Sequence, residues 1–198
     1  MFHVKHEGWT YEVLSPAQRD ALHRYEILLR DRGIPLGLVA RADAHKVWDR
    51  HILDSLRGVR LIPSEALRAA DVGSGGGLPG IPIAIALPRL EVTLVEARRL
   101  RISFLELAIE GLGLQNAHVF PGRLEAFEEP LEVVLARAFA APAATWAAGE
   151  PLLAPGGRLL YWAGAGFRPD EVPDGVDIKV VGDPALESSG PIVIMTRQ

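Results

Sequence analysis

Cysteine is absent from the 198 residues of this chain. That excludes disulfides, thiolate metal sites and cysteine nucleophiles, including thiolate attack on pyrimidine carbon-6, and it suits a reducing compartment. Long apolar runs are missing too. The longest uncharged apolar stretch, residues 78–88, is far short of a membrane span and holds three prolines. The start of the chain, Met1-Phe2-His3-Val4-Lys5-His6-Glu7, has no apolar core for a signal peptide. The expectation is a cytoplasmic protein with no membrane partner. Positive charge is not in excess: 21 Lys/Arg against 25 Asp/Glu give a net charge of −4. No global basic field then draws the protein to nucleic acid, and any such contact needs a local patch. No Gly-x-Ser-x-Gly elbow and no Gly-x-x-x-x-Gly-Lys-Ser/Thr loop occurs, which argues against esterase and ATP-hydrolysing chemistry. His3-x-x-His6 has metal-like spacing but no third ligand, so no metal is expected.

What is present begins with apolar content. Hydrophobic residues make up 48% of the chain, enough for a sizeable core in one domain with an appendage, or two small ones. The pattern changes near residue 58. Residues 1–58 read as a helical extension with nine Lys/Arg, eight Asp/Glu and five of the six histidines. Ser15-Pro16-Ala17-Gln18 opens a helix there, with Ala21, Leu22, Tyr25, Leu28 and Leu29 on one face and Gly33-Ile34-Pro35 ending it. A second helix is expected from Ala44 to Leu56, with Val47, Trp48, His51, Ile52 and Ser55 on one side.

Residues 59–198 read as strands alternating with helices. Strands are expected at 66–71, 91–95, 117–120, 132–136 and 158–162. Helices are expected after the glycine run, at 98–111 and at about 140–153, the last stopping at Pro155-Gly156-Gly157. Two final strands, 176–181 and 191–196, have no clear helix between them and should be antiparallel. This order predicts a doubly wound, mostly parallel α/β sheet that binds ligands at the carboxyl ends of its strands.

The chain is organised around Asp71-Val72-Gly73-Ser74-Gly75-Gly76-Gly77-Leu78-Pro79-Gly80. Five glycines in eight positions suit a turn that passes close to a ligand or takes positive φ. Two frames compete. Gly75-x-Gly77-x-x-Gly80, with Glu96 about 20 residues on, satisfies the dinucleotide fingerprint. Asp71-x-Gly73-x-Gly75-x-Gly77 fits the nucleoside loop of S-adenosylmethionine enzymes better, because Gly73 directly follows the strand and makes the tight turn. A glycine turn without a ligand remains the plain alternative.

Charged residues follow four strands: Asp71, Glu96, Glu125 and Arg137. Glu96 is placed to accept both ribose hydroxyls, or else to sit solvated at a helix start. Leu124 and Glu125 could bracket an adenine. Arg137, a cation at the end of an apolar strand, needs a partner: a cofactor carboxylate, a substrate phosphate, or an ion pair with Asp71 or Glu125. The Asn-Pro-Pro-aromatic sequence of amino-group methyltransferases is absent.

Arg50-His51-Ile52-Leu53-Asp54-Ser55, followed by the glycine loop through Pro82, resembles the bacterial ribosomal RNA small subunit methyltransferase G family (glucose-inhibited division protein B). The likeness extends over Gly122-Arg123-Leu124-Glu125, Ala136-Arg137-Ala138 and Pro155-Gly156-Gly157-Arg158-Leu159, roughly residues 15 to 165. It implies a class I S-adenosylmethionine-dependent methyltransferase fold with a seven-stranded sheet, and methylation of N7 of one guanine in the decoding-region loop of 16S rRNA. It implies cofactor contacts at Gly73, Leu78, Leu124, Glu125 and Arg137, which join Gly75, Gly77 and Glu96 from the loop reading. It also places Arg50 and His51 beside the cofactor cleft. RNA would then be held by Arg50, His51, Arg137 and the local patch Arg98-Arg99-Arg101, which otherwise reads as a solvated helix start. The implied partner is 16S rRNA or the small ribosomal subunit, and a monomer is expected. No general base is expected, since guanine N7 carries a free lone pair. Two positions depart from the family: Gly37-Leu38-Val39 stands where Asn-Leu-Thr is usual, and Ala163 where Lys is usual. A small-molecule methyltransferase and a non-catalytic cofactor-binding module are the alternative readings.

Overall fold

The computed structural model describes residues 13–128, 130–183 and 189–198. His3 and His6 lie outside them. Helix α1 (Pro16–Leu28) starts on the expected capping box: the Gln18 amide donates to the Ser15 hydroxyl (3.2 Å) and the Ser15 amide donates to Oε1 of Gln18 (2.9 Å). It continues as wider π turns over Leu29–Gly33.

The expected helix at 44–56 is not a regular α-helix. A 3-10 turn (Arg41–Asp43) leads to a π-helical stretch (Val47–Leu53) and a single α turn, α2 (Asp54–Leu56). The reason lies in its carbonyls. Those of Arg50 and His51 accept from the Arg137 guanidinium (3.0 and 3.4 Å), and the His51 carbonyl also accepts from the Ser55 hydroxyl (2.6 Å). Acceptors drawn outward in this way fit the wider turn. Of the expected inner face, Val47, Ile52 and Ser55 are fully buried, and Trp48 and His51 are half-buried.

The sheet follows: β1 (Arg68–Val72), α3 (Gly80–Ala86), β2 (Glu91–Glu96), α4 (Arg99–Leu112), β3 (Ala117–Pro121), β4 (Leu131–Arg137), α5 (Pro142–Gly149), β5 (Leu153–Trp162), β6 (Asp177–Val181) and β7 (Ile192–Thr196). Its order is β3-β2-β1-β4-β5-β7-β6. Strands β1 to β5 are parallel, and β7 runs antiparallel to both β5 and β6, as the missing helix between the last two strands predicts. The expected helix at 140–153 is shorter, because β5 already begins at Leu153. Pro155-Gly156-Gly157 does not stop a helix there. It forms an irregularity within β5, where Gly156 takes φ 77° and residues 156–157 exchange amide bonds with Arg197.

Side chains alternate across the sheet. Ala69, Leu94, Val133, Leu135, Leu160 and Ile194 face one core, shared with Leu22, Tyr25, Val47, Ile52 and helices α3 and α4. Ala70, Val72, Val134, Ala136, Leu159 and Met195 face the other, with Leu124, Phe127 and α5. Residues 14–62 thus share one apolar cluster with the sheet face that carries the glycine loop.

Candidate functional site

The carboxyl ends of β1, β2, β3 and β4 open onto one cleft of about 190 Å³, lined by Gly73, Val95, Glu96, Ala97, Gly122, Arg123, Leu124, Glu125 and Phe139. Four of the expected residues, Gly73, Glu96, Leu124 and Glu125, therefore meet there. Gly75, Gly77, Leu78 and Arg137 are not among its lining residues. Gly73, Gly75 and Gly77 all take positive φ (67°, 57° and 84°), a conformation that suits a residue without Cβ. Gly80, the last glycine of the dinucleotide frame, has a different reason to be glycine: a Cβ there would lie 2.7 Å from the Asp71 carboxylate and 2.4 Å from Leu94. The left-handed turns thus fall on the three glycines of the alternating frame that begins at Asp71.

Several contacts set the loop. The amides of Gly73 and Ser74 donate to the Val95 carbonyl (2.9 and 3.1 Å). The Gly75 amide donates to Oε2 of Glu96 (3.0 Å), while Oε1 accepts from the amides of Ala97 and Arg98 (2.9 Å each). Arg101 stands 3.5 Å from Oε2. Oε2 thus has one close donor and retains capacity for a hydroxyl. From below, the fully buried Tyr25 donates to the Gly76 carbonyl at 2.5 Å, so α1 holds the loop directly. Burial, reinforced by the neighbouring Asp71, pushes the Tyr25 phenol well above its ordinary range and keeps it a donor.

Asp71 does not face the cleft. Its carboxylate accepts from the Gly80 amide (3.0 Å) at the start of α3. Burial raises it from 3.8 to about 7, against the lowering effect of that amide. The folded chain therefore holds a proton between pH 4 and 7 that the unfolded chain has lost. This contribution to stability is complete below pH 4 and disappears as pH rises through 7, amounting to at most about 4 kcal/mol at 1.36 kcal/mol per unit. Relative to Asp71→Asn, the wild-type chain is expected to lose stability steadily from pH 4 to 7 in urea titrations. Parallel pH profiles for the two proteins would contradict this.

Arg137 is placed differently from expectation. Neither Asp71 nor Glu125 is its ion partner; Asp54 is, at 3.6 Å. Its Nη2 also donates to Nδ1 of His51 (3.0 Å), whose Nε2 lies 3.3 Å from Asp43. These partners assign His51 the neutral form with its hydrogen on Nε2. Burial, then the Arg137 charge, lowers its pKa, so it stays neutral. Both ring nitrogens are engaged. Arg50 is exposed and pairs with Asp43 at 3.3 Å. Asp54 is buried and shared: its other oxygen lies 2.7 Å from Arg57, and its carbonyl accepts from the Trp162 indole (2.9 Å). The Arg50–Ser55 hexapeptide is thus bolted to the ends of β4 and β5.

Sequence reasoning missed Tyr25, whose apolar-face position predicts only packing, and Phe139. Phe139 follows Ala138, a non-glycine residue at φ 52°, a conformation costing on the order of 1 kcal/mol. The Phe139 ring lies against Gly73, where a Cβ would come within 2.7 Å of it.

A family model described as rRNA small subunit methyltransferase G matches residues 18–172. A relative from Acidiphilium cryptum named ribosomal RNA small subunit methyltransferase G is 50% identical over 134 residues, covering 66% of this chain and 61% of its own. Another of that name, from Mycolicibacterium gilvum, is 42% identical over 156 residues, covering 75% and 66%. The chain thus spans 61 to 66% of the length of these two relatives. A solved methyltransferase from Geobacter sulfurreducens superposes with a TM-score of 0.60 at 15% identity over 90% of each chain. That likeness is one of fold: the seven-stranded, mostly parallel α/β sheet of this chain is arranged as in that methyltransferase.

Proposed function

This chain belongs to the rRNA small subunit methyltransferase G family, and from that premise we propose that it methylates N7 of one guanine in the decoding-region loop of 16S rRNA. The observation that carries the reading is the convergence of Gly73, Glu96, Leu124 and Glu125 on one cleft at the strand ends. The residues present fit S-adenosylmethionine. Three left-handed glycines let the backbone approach a ligand closely, Glu96 keeps acceptor capacity for ribose, and Leu124 offers an apolar face for the adenine. When bound there, the cofactor supplies an electrophilic methyl group.

The chain's own residues then have to place the guanine. N7 carries a lone pair and needs no deprotonation, so the work is alignment rather than acid–base catalysis. The engagement of both His51 nitrogens agrees with the absence of a general base. Arg137, bonded to the Arg50 and His51 carbonyls and to the His51 ring, would hold those two residues for the substrate, and Gly75, Gly77 and Leu78 would shape the loop against the cofactor. Arg50, Arg98, Arg99 and Arg123 are exposed, and they would contact phosphates as a local basic rim on an acidic protein. Residues 1–58 would serve as the extension carrying part of that rim, and residues 59–198 as the methyltransferase domain. Among the described residues no helix is long and apolar enough to cross a membrane, and no His/Cys/Asp/Glu group of metal-binding form occurs.

The test supplies purified protein and radiolabelled S-adenosylmethionine to small ribosomal subunits lacking the endogenous modification, beside naked 16S rRNA. Label recovered as 7-methylguanine is the expected result. Cofactor binding without label in either RNA would remove rRNA as the substrate.

A further inference from the structure

We propose that the ring of Phe139 recognises the positive charge of the methyl donor's sulfonium and so distinguishes donor from spent product. The inference rests on the cofactor reading above. The order β3-β2-β1-β4 sets the direction of the cleft. Glu96 and Leu124 follow β2 and β3, so a nucleoside held by them lies at that end. The remainder of the cofactor must then extend past the ends of β1 and β4, which carry Gly73 and Phe139.

The Phe139 ring is placed there. It lines the same cleft and packs on Gly73. The left-handed turn at Ala138 carries the chain out of β4 immediately before it. The side chain stays 38% exposed, whereas Ala136, three residues earlier, is wholly buried. The acids of the region do not serve this end of the cleft. Asp71 is buried and committed to the Gly80 amide, and Glu96 is held by three backbone amides. Glu125 stands in the turn after β3 and is exposed. Phe139 meets Gly73 with the edge of its ring; it lines the cleft, and an aromatic face turned to the ligand there draws a cation within about 6 Å. A bound sulfonium feels that attraction, whereas the neutral thioether of S-adenosylhomocysteine does not. The ring favours donor over product without an anion that would also attract water.

The test is calorimetric titration of wild type, Phe139→Leu and Phe139→Trp with S-adenosylmethionine and S-adenosylhomocysteine. Thermal melts confirm that each variant is folded. Phe139→Leu is expected to weaken the donor by about 3- to 30-fold while the product stays within about twofold. Phe139→Trp should keep the wild-type preference. Equal weakening of both ligands in Phe139→Leu, or no weakening of the donor, would overturn the proposal. A wild-type protein that binds neither ligand would bring down the cofactor reading itself, a result separate from either.

Discussion

Asp54→Ala is expected to destabilise the protein by about 3–5 kcal/mol, read as a lower urea midpoint with an unchanged slope. Asp54 is buried between two cations, 2.7 Å from Arg57 and 3.6 Å from Arg137. Arg57 is equally buried, and among the described residues its Nε has no hydrogen-bond partner. Its next acid, Asp183, is 3.8 Å away. Truncating Asp54 leaves two guanidinium groups facing one another in a site from which water is largely excluded. The carbonyls of Gly190, Arg50 and His51 still accept from them, but a carbonyl dipole does not neutralise a charge. Asp54→Leu combined with Arg57→Met should recover much of the loss, because apolar replacement of a buried pair is far milder than removal of one partner. A loss under about 1 kcal/mol for Asp54→Ala would mean that the pair is solvated, contrary to its burial.

Glu96→Ala is expected to raise the dissociation constant for S-adenosylmethionine by roughly 100- to 1000-fold. One carboxylate fixes the Gly75 amide on one oxygen and the Ala97 and Arg98 amides on the other. It orders the glycine loop and holds the amides of the two residues that lead into α4. The proposed ribose contacts would be lost as well. Two charge-assisted hydrogen bonds at about 1.5–2 kcal/mol each, the lower part of their range, give the size of the effect. Glu96→Gln presents a single carbonyl oxygen in place of two acceptors, so it should fall between wild type and alanine. Titration calorimetry separates the three proteins. An alanine variant binding within about threefold of wild type would remove Glu96 from the cofactor site.

Much of this arrangement is legible in the residues. Alternating apolar runs mark the strands, and the ring of acids and arginine after them marks the open end of the sheet. The frame Asp71-x-Gly73-x-Gly75-x-Gly77 is legible because positive φ makes a local demand on residue type. Arg137 is a harder case. An isolated cation after an apolar strand announces that a partner exists, but Asp54 is supplied by a segment far away in sequence. The π turns at 47–53 are hidden for the same reason, since their distortion comes from a guanidinium on another element. Tyr25 shares its apolar face with Ala21 and Leu22, and nothing local signals a bond from its hydroxyl to Gly76. Gly37 shows the opposite situation. It departs from the family's usual Asn, yet it sits at φ 70° in open space, a conformation that asparagine also tolerates. The backbone shape at that position therefore survives the substitution.

The bolting of the first helices has a consequence for synthesis. Tyr25 waits for Gly76, 51 residues later; Asp54 waits for the Trp162 indole, 108 residues later; and Arg57 waits for the Gly190 carbonyl, 133 residues later. A chain made from its N-terminus therefore emerges with the segment that is closed last. Helices α1 and α3 can pack against residues 47–56 early, but the bonds of Asp54 and Arg57 to Trp162 and Gly190 form only after the C-terminal strands have left the exit tunnel.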